Sequence, residues 1–143
     1  MFAGINWFAV LAAAIAGFAL GAVWYSVLAK PWMAATGVKL SDIQDENGKM
    51  KGGPTPFIIA AVCQLLLASI LAGTIGHMGA VTLNTGLITG FLAWLGFVMC
   101  TMLVNNSFAM RKPMQTVIDG GYWLVVFLVE GAIIGLFGVA ASA

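Results

Sequence analysis

Polar and apolar residues are sorted along this chain into four long apolar segments separated by short polar ones. Residues 5–29, 57–76, 85–107 and 116–139 contain no Lys or Arg, and only the last contains acids, Asp119 and Glu130. The apolar positions run on without alternation, which predicts helices rather than half-buried strands. A helix rises about 1.5 Å per residue, so about 20 apolar residues cross about 30 Å of hydrocarbon, and each segment is long enough to span. Backbone in lipid must satisfy its own hydrogen bonds, and the lack of a period-two pattern argues against a β-barrel. The predicted fold is all-α: one integral membrane four-helix bundle over residues 1–143, with a polar loop at 30–56.

Composition fits that reading. Hydrophobic residues make up 62% of the 143 and charged residues 8%, far from the roughly 45–50% and 25% of soluble domains. A formal charge of +1 offers no basic field for phosphates, so nucleic acid is not an expected partner. The first segment is too long for a signal-peptide core and has no basic residue before it, so it is read as a retained helix. Lys30, Lys39, Lys49 and Lys51 follow the first segment, Arg111 and Lys112 follow the third, and the other connection and both ends carry none. The positive-inside rule then makes the two basic loops cytoplasmic and both termini external, in the cytoplasmic (inner) membrane of a bacterium. Trp7 at one end of the first helix and Trp24, Tyr25 and Trp32 at the other suit the two interfaces. Trp94, about nine residues into the third span, is expected to pack between helices.

The 30–56 loop is a connector marked at its ends by Pro31 and by Gly52-Gly53-Pro54. Ser41 and Gln44 match a capping box, which predicts a short surface helix through about Asn47 before Gly48 ends it. Asp42, Asp45 and Glu46 read as a solvated face, because their spacing matches no calcium loop. Lys30-Pro31 and Lys112-Pro113 occupy similar places after the first and third spans. Inside charge and a helix-stopping proline explain both without an internal repeat.

Small residues recur every four positions at Ala9, Ala13, Gly17 and Gly21, at Gly86 and Gly90, and at Gly131 and Gly135. Such stripes let helices approach closely. There are more of them than one monomer needs, so a homo-oligomer is expected. Cys63 and Cys100 fall at similar depth and read as free, small hydrophobes. His77 is the only histidine, too few for a metal site, and is read as an interfacial hydrogen bonder. Neither a metal nor a cofactor is expected, and no phosphate-binding or dinucleotide motif is present.

The chemistry-bearing residues fall in two places. At the inner ends, Trp24, Tyr25 and Ser26, then Asn105, Asn106 and Ser107, then Asp119, Tyr122 and Trp123 lie at one level, as a hydrogen-bonded network or a binding pocket. Arg111 or Lys112 is within reach of Asp119, which predicts an ion pair. Glu130 stands about three turns further along the same face, with Trp123, Val126 and Phe137, slightly past the midplane and beyond any Lys or Arg. An intramembrane acid is costly, so Glu130 is expected to be neutral and hydrogen-bonded, or to face a cavity holding water or a cation.

The residues Asn6-Trp7, Gly21-Ala22-Val23-Trp24-Tyr25-Ser26 followed by Lys30-Pro31-Trp32, Asn105-Asn106, and Asp119-Gly120-Gly121-Tyr122-Trp123 resemble the bacterial membrane-protein family called domain of unknown function 1761. The likeness covers nearly the whole chain. It implies several spans and no assigned activity, and it points to the inner-end residues; Glu130 and the loop from Lys39 to Lys51 lie outside its pattern. Two function classes follow from the residues. One is a small homo-oligomeric transporter or channel for a small solute or cation, with Glu130 as coupling group. The other is a structural or accessory membrane protein. No nucleophile–base pair or metal cluster points to an enzyme, and the one-sided basic loops argue against a dual-topology exporter. The lipid bilayer is the expected partner, and a small-molecule ligand is left unnamed.

Overall fold

The computed structural model describes residues 4–139; the terminal residues 1–3 and 140–143, whose side of the membrane the charge pattern predicts, lie outside them. Four helices are long and apolar enough to cross a membrane: Trp7–Val27, Thr55–His77, Leu83–Phe108 and Pro113–Phe137. They coincide with the four predicted segments, with ends displaced by one to three residues, and the described residues form no strand. The first span is α1 (Trp7–Val27), opened by Asn6, whose Oδ1 accepts from the Ala9 amide at 3.2 Å. Such a cap satisfies one of the orphan donors of a helix start.

The loop departs from expectation in two ways. Pro31 does not stop the first helix. The chain breaks at Leu28 and restarts as α2 (Ala29–Thr36), which ends at Gly37 with φ of 78°. Pro31 falls in the first turn of α2, where its missing N–H has no helical partner to lose. The predicted surface helix is only the single turn α3 (Leu40–Ile43), and its cap is Asp42, whose Oδ2 accepts from the Lys39 amide at 2.9 Å, not a box of Ser41 and Gln44. Asp45 accounts for the shortening. Its Oδ1 accepts from the amides of Asn47 at 2.9 Å and Lys49 at 2.8 Å, closing a turn at Gly48 that competes with helix continuation.

The second span is α4 (Thr55–His77), with Pro56 in its first turn. The third is continuous but not uniform: α5 (Leu83–Ala93), a π-helical stretch over Trp94–Met99, and α6 (Cys100–Phe108). The fourth, α7 (Pro113–Phe137), is the centre of the bundle. Within its apolar window 44% is buried, against 11% for the third span. It packs on α1 and α5 and touches α4.

Glycine sets these approaches. A Cβ on Gly86 would fall on the backbone of Gly131, and one on Gly131 on the backbone of Gly86; Gly90 faces the Phe127 carbonyl in the same way, and Gly135 that of Thr82. On α1, Ala9, Ala13 and Gly17 are buried in the bundle, and Gly21 lies against the Tyr122 phenol. All three stripes are therefore filled by neighbours within one chain, and they give no ground for expecting contacts between copies. Cys63 and Cys100 are free and exposed on the outward faces. The His77 ring meets the Gly73 carbonyl of its own helix at 3.0 Å, at the end of α4.

Candidate functional site

The inner-end cluster forms, but with different partners from those predicted. Asp119 makes no bridge to Arg111 or Lys112. Its Oδ1 accepts from the Tyr25 hydroxyl at 2.9 Å and from Trp32 Nε1 at 3.0 Å, while Lys112 Nζ donates to the Ala34 carbonyl. The reason is the restart at α2. It folds Trp32 back over the inner end of α7, so two neutral donors meet Asp119 Oδ1 and the lysine reaches a carbonyl instead. Tyr25 and Trp32 meet edge to face at 6.0 Å, and Trp24 Nε1 donates to the Ile118 carbonyl at 3.1 Å. This layer fastens α1, α2 and α7 together. Asn106 ties the third span to it through Thr116 Oγ1 at 2.9 Å.

Not every predicted residue joins. Ser26 returns its hydroxyl to the Ala22 carbonyl of its own helix and is exposed, and Asn105 is exposed too. Ser107 likewise bonds back, to Leu103. Trp123 is half-buried, its ring tilted 4.9 Å from that of Tyr122. Trp94 packs as expected and donates to the Gly120 carbonyl at 2.8 Å, at the start of the π-helical stretch.

Asp119 accepts both bonds through one oxygen, so an uncharged carbonyl in its place can serve the same donors. Asp119→Asn, which retains a carbonyl oxygen there, is expected to melt close to the parent. Asp119→Ala strands two donors and is expected to lose about 3 kcal/mol. Thermal unfolding in detergent checks both, and equal losses in the two variants would show that the charge carries the stability.

A second polar group lies deeper, around Gly17, the eleventh of the 21 residues of α1. Glu130 is fully buried, and neither of its carboxyl oxygens has a hydrogen-bond partner. Gln64, from α4, is 3% exposed; its Nε2 donates to the Tyr122 hydroxyl at 2.9 Å, while its Oε1 is unpartnered. These oxygens converge. Measured from the point where a Cβ on Gly17 would sit, Glu130 Oε1 is 2.6 Å away and Gln64 Oε1 2.9 Å. Tyr122 closes the group, its hydroxyl 3.5 Å from the Gly17 carbonyl. Gly17 thus makes room for three polar side chains from α4 and α7 at the middle of the bundle. Of the face predicted for Glu130, Val126 is buried with it and Phe137 points outward.

Gln64 is the residue that sequence reasoning missed. It is the only carboxamide in the second span, and it lies on a helical stripe with Ala68, Leu71, Ala72 and Ile75, all buried. That spacing was its available signal. A side chain without charge leaves a segment looking simply apolar.

Glu130 and Gln64 supply three unpaired oxygens, short of the six or more a hard divalent cation takes. Among the described residues, no three His, Cys, Asp or Glu side chains are grouped as metal ligands. What the arrangement offers is a buried carboxyl and a buried amide oxygen, both without hydrogen-bond partners, beside the bare backbone of Gly17.

These features define a small multi-spanning α-helical membrane protein. Its sequence matches, over residues 8–135, the family model described as protein of unknown function (DUF1761), and the chain belongs to that family. No curated protein and no solved structure matches it.

Proposed function

We propose that this protein is a small transporter or channel for a small solute or cation, with Glu130 as the group that loads and releases the coupling ion. The observation that supports the reading is the unpaired carboxyl of Glu130 at full burial. A purely structural acid would be expected to have all its acceptors filled, because an unmet buried polar group costs about 1–3 kcal/mol. A group that exchanges a ligand is instead left with open acceptors, and Glu130 lies beside Gly17 with both oxygens unpartnered.

The setting in a bacterial inner membrane, with basic loops inside and both termini outside, belongs to the same reading. Alkaline phosphatase fused at the C-terminus is expected to be active and a green fluorescent protein fused there dark; the reverse pattern would invert the orientation. Assembly into two to four copies is retained on a narrower basis, the wide exposed face of the third span. An accessory role without transport is the competing reading, supported by the inner hydrogen-bonded layer that ties three spans.

The test is flux into vesicles of phosphatidylethanolamine and phosphatidylglycerol containing the purified protein. Protons, sodium, potassium and a panel of small solutes are followed with and without a proton gradient. Flux above empty vesicles that depends on Glu130 supports transport. No flux for any of them leaves the accessory role.

A further inference from the structure

Two buried oxygens without hydrogen-bond partners lie beside Gly17, Glu130 Oε1 and Gln64 Oε1; the amide oxygen can only accept, and so can the carboxyl while it is ionised. An ionised Glu130 would bring its lone pairs near those of the amide oxygen at full burial, which is costly unless something positive lies between them. No Lys or Arg occurs in any of the four spans to provide it.

We propose that Glu130 and Gln64 form a one-proton binding site in which the carboxyl O–H donates to Gln64 Oε1, and that the Gln64 amide turns over when the proton leaves. The proposal deepens the transport reading by naming the coupling ion. Loading forms one O–H bond on Glu130 and consumes one hydronium ion; unloading returns the proton to water and leaves a carboxylate.

The rest of the site follows both states. With the proton bound, Gln64 donates through Nε2 to the Tyr122 hydroxyl, as observed at 2.9 Å, and that hydroxyl points toward the Gly17 carbonyl. With the proton gone, a half-turn of the amide presents Nε2 to the carboxylate and Oε1 to Tyr122, whose hydroxyl then donates. Every polar atom of Gln64 has a partner in each state. A proton fits better than a metal ion, because the oxygens are too few for hard-cation coordination.

Few other ionisable groups can answer in its place. On α7 these are Tyr122, already in the site, and Asp119, at the inner end with its Oδ1 bonded to Tyr25 and Trp32. Tyr25 is the only titratable side chain of α1. From α4 come Cys63, exposed, and His77, at the outer end and bonded to Gly73. The third span has only the exposed Cys100.

Infrared difference spectra of the full chain in phosphatidylcholine vesicles, recorded across a pH series, test the site. The parent is expected to show a carboxylic C=O band that is absent in Glu130→Gln. Gln64→Met is expected to move the band to higher frequency, because the acid loses its hydrogen bond. Gln64→Asn, whose amide is one methylene too short, should do the same if the Met variant does not fold. A band that survives Glu130→Gln, or a frequency indifferent to both Gln64 variants, overturns the proposal. So does a band abolished by sodium or magnesium chloride, which would place a cation there. The two readings fail separately: the band without any flux sinks transport alone, and flux that depends on Glu130 without the band sinks the proton site alone.

Discussion

Glu130→Gln is expected to lower flux through reconstituted protein at least tenfold while leaving the bundle intact. Gln has nearly the volume of Glu and keeps a carbonyl oxygen beside Gly17, so packing against Val126 and Gln64 is preserved. What it loses is the ability to gain and lose an ionisable proton. Its melting temperature should stay within about 3 °C of the parent, the shift of roughly 1 kcal/mol in a chain of this size. Flux into vesicles and thermal unfolding in detergent are the two measurements. Equal flux in parent and variant would remove Glu130 from the site and leave the accessory role ahead. Glu130→Leu separates the roles further. If the carboxyl serves only structure, the Leu variant changes stability without touching any activity the parent has, since removing a buried polar group can cost or gain.

The largest stability loss is expected from Gly86→Ala. The added methyl would lie on the backbone of Gly131, where no side chain can turn aside to admit it. The helices must separate, which also lifts Gly90 from the Phe127 carbonyl and Gly135 from that of Thr82. A cost of about 3 kcal/mol or more is expected, at the upper end for overpacking, because two backbones and not a flexible side chain must yield. Gly96→Ala is the control in the same span. A Cβ there meets nothing within 4 Å, so Ala should be neutral or gain up to about 1 kcal/mol in helix propensity. Thermal unfolding of both, side by side, decides the matter. If the two variants melt alike, the Gly86–Gly131 contact does not hold α5 to α7.

The four spans could be read from the order of residues because hydrocarbon thickness and backbone hydrogen bonding leave a long uncharged segment little alternative to a helix. The stripes of Gly and Ala announced close packing for the same kind of local reason. The level of Trp24, Tyr25, Asn106 and Asp119 was legible too, since helical rise converts position into depth. Partner choice was not legible. Asp119 looked paired with Lys112 because the two are close in sequence. Only the restart of the chain at Ala29 brings Trp32 across to take the carboxylate.

Stripe spacing, likewise, could not say whether Gly131 meets Gly86 or a second copy, because spacing describes one helix and contact needs two. The centre of the molecule shows the division most clearly. The sequence alone marked Glu130 as a buried acid beyond the reach of any base. The tertiary structure decided what surrounds it, setting Gln64 from α4 and the bare backbone of Gly17 from α1 against it. Residues 17, 64 and 130 share no local pattern; they meet only because three helices cross at one depth.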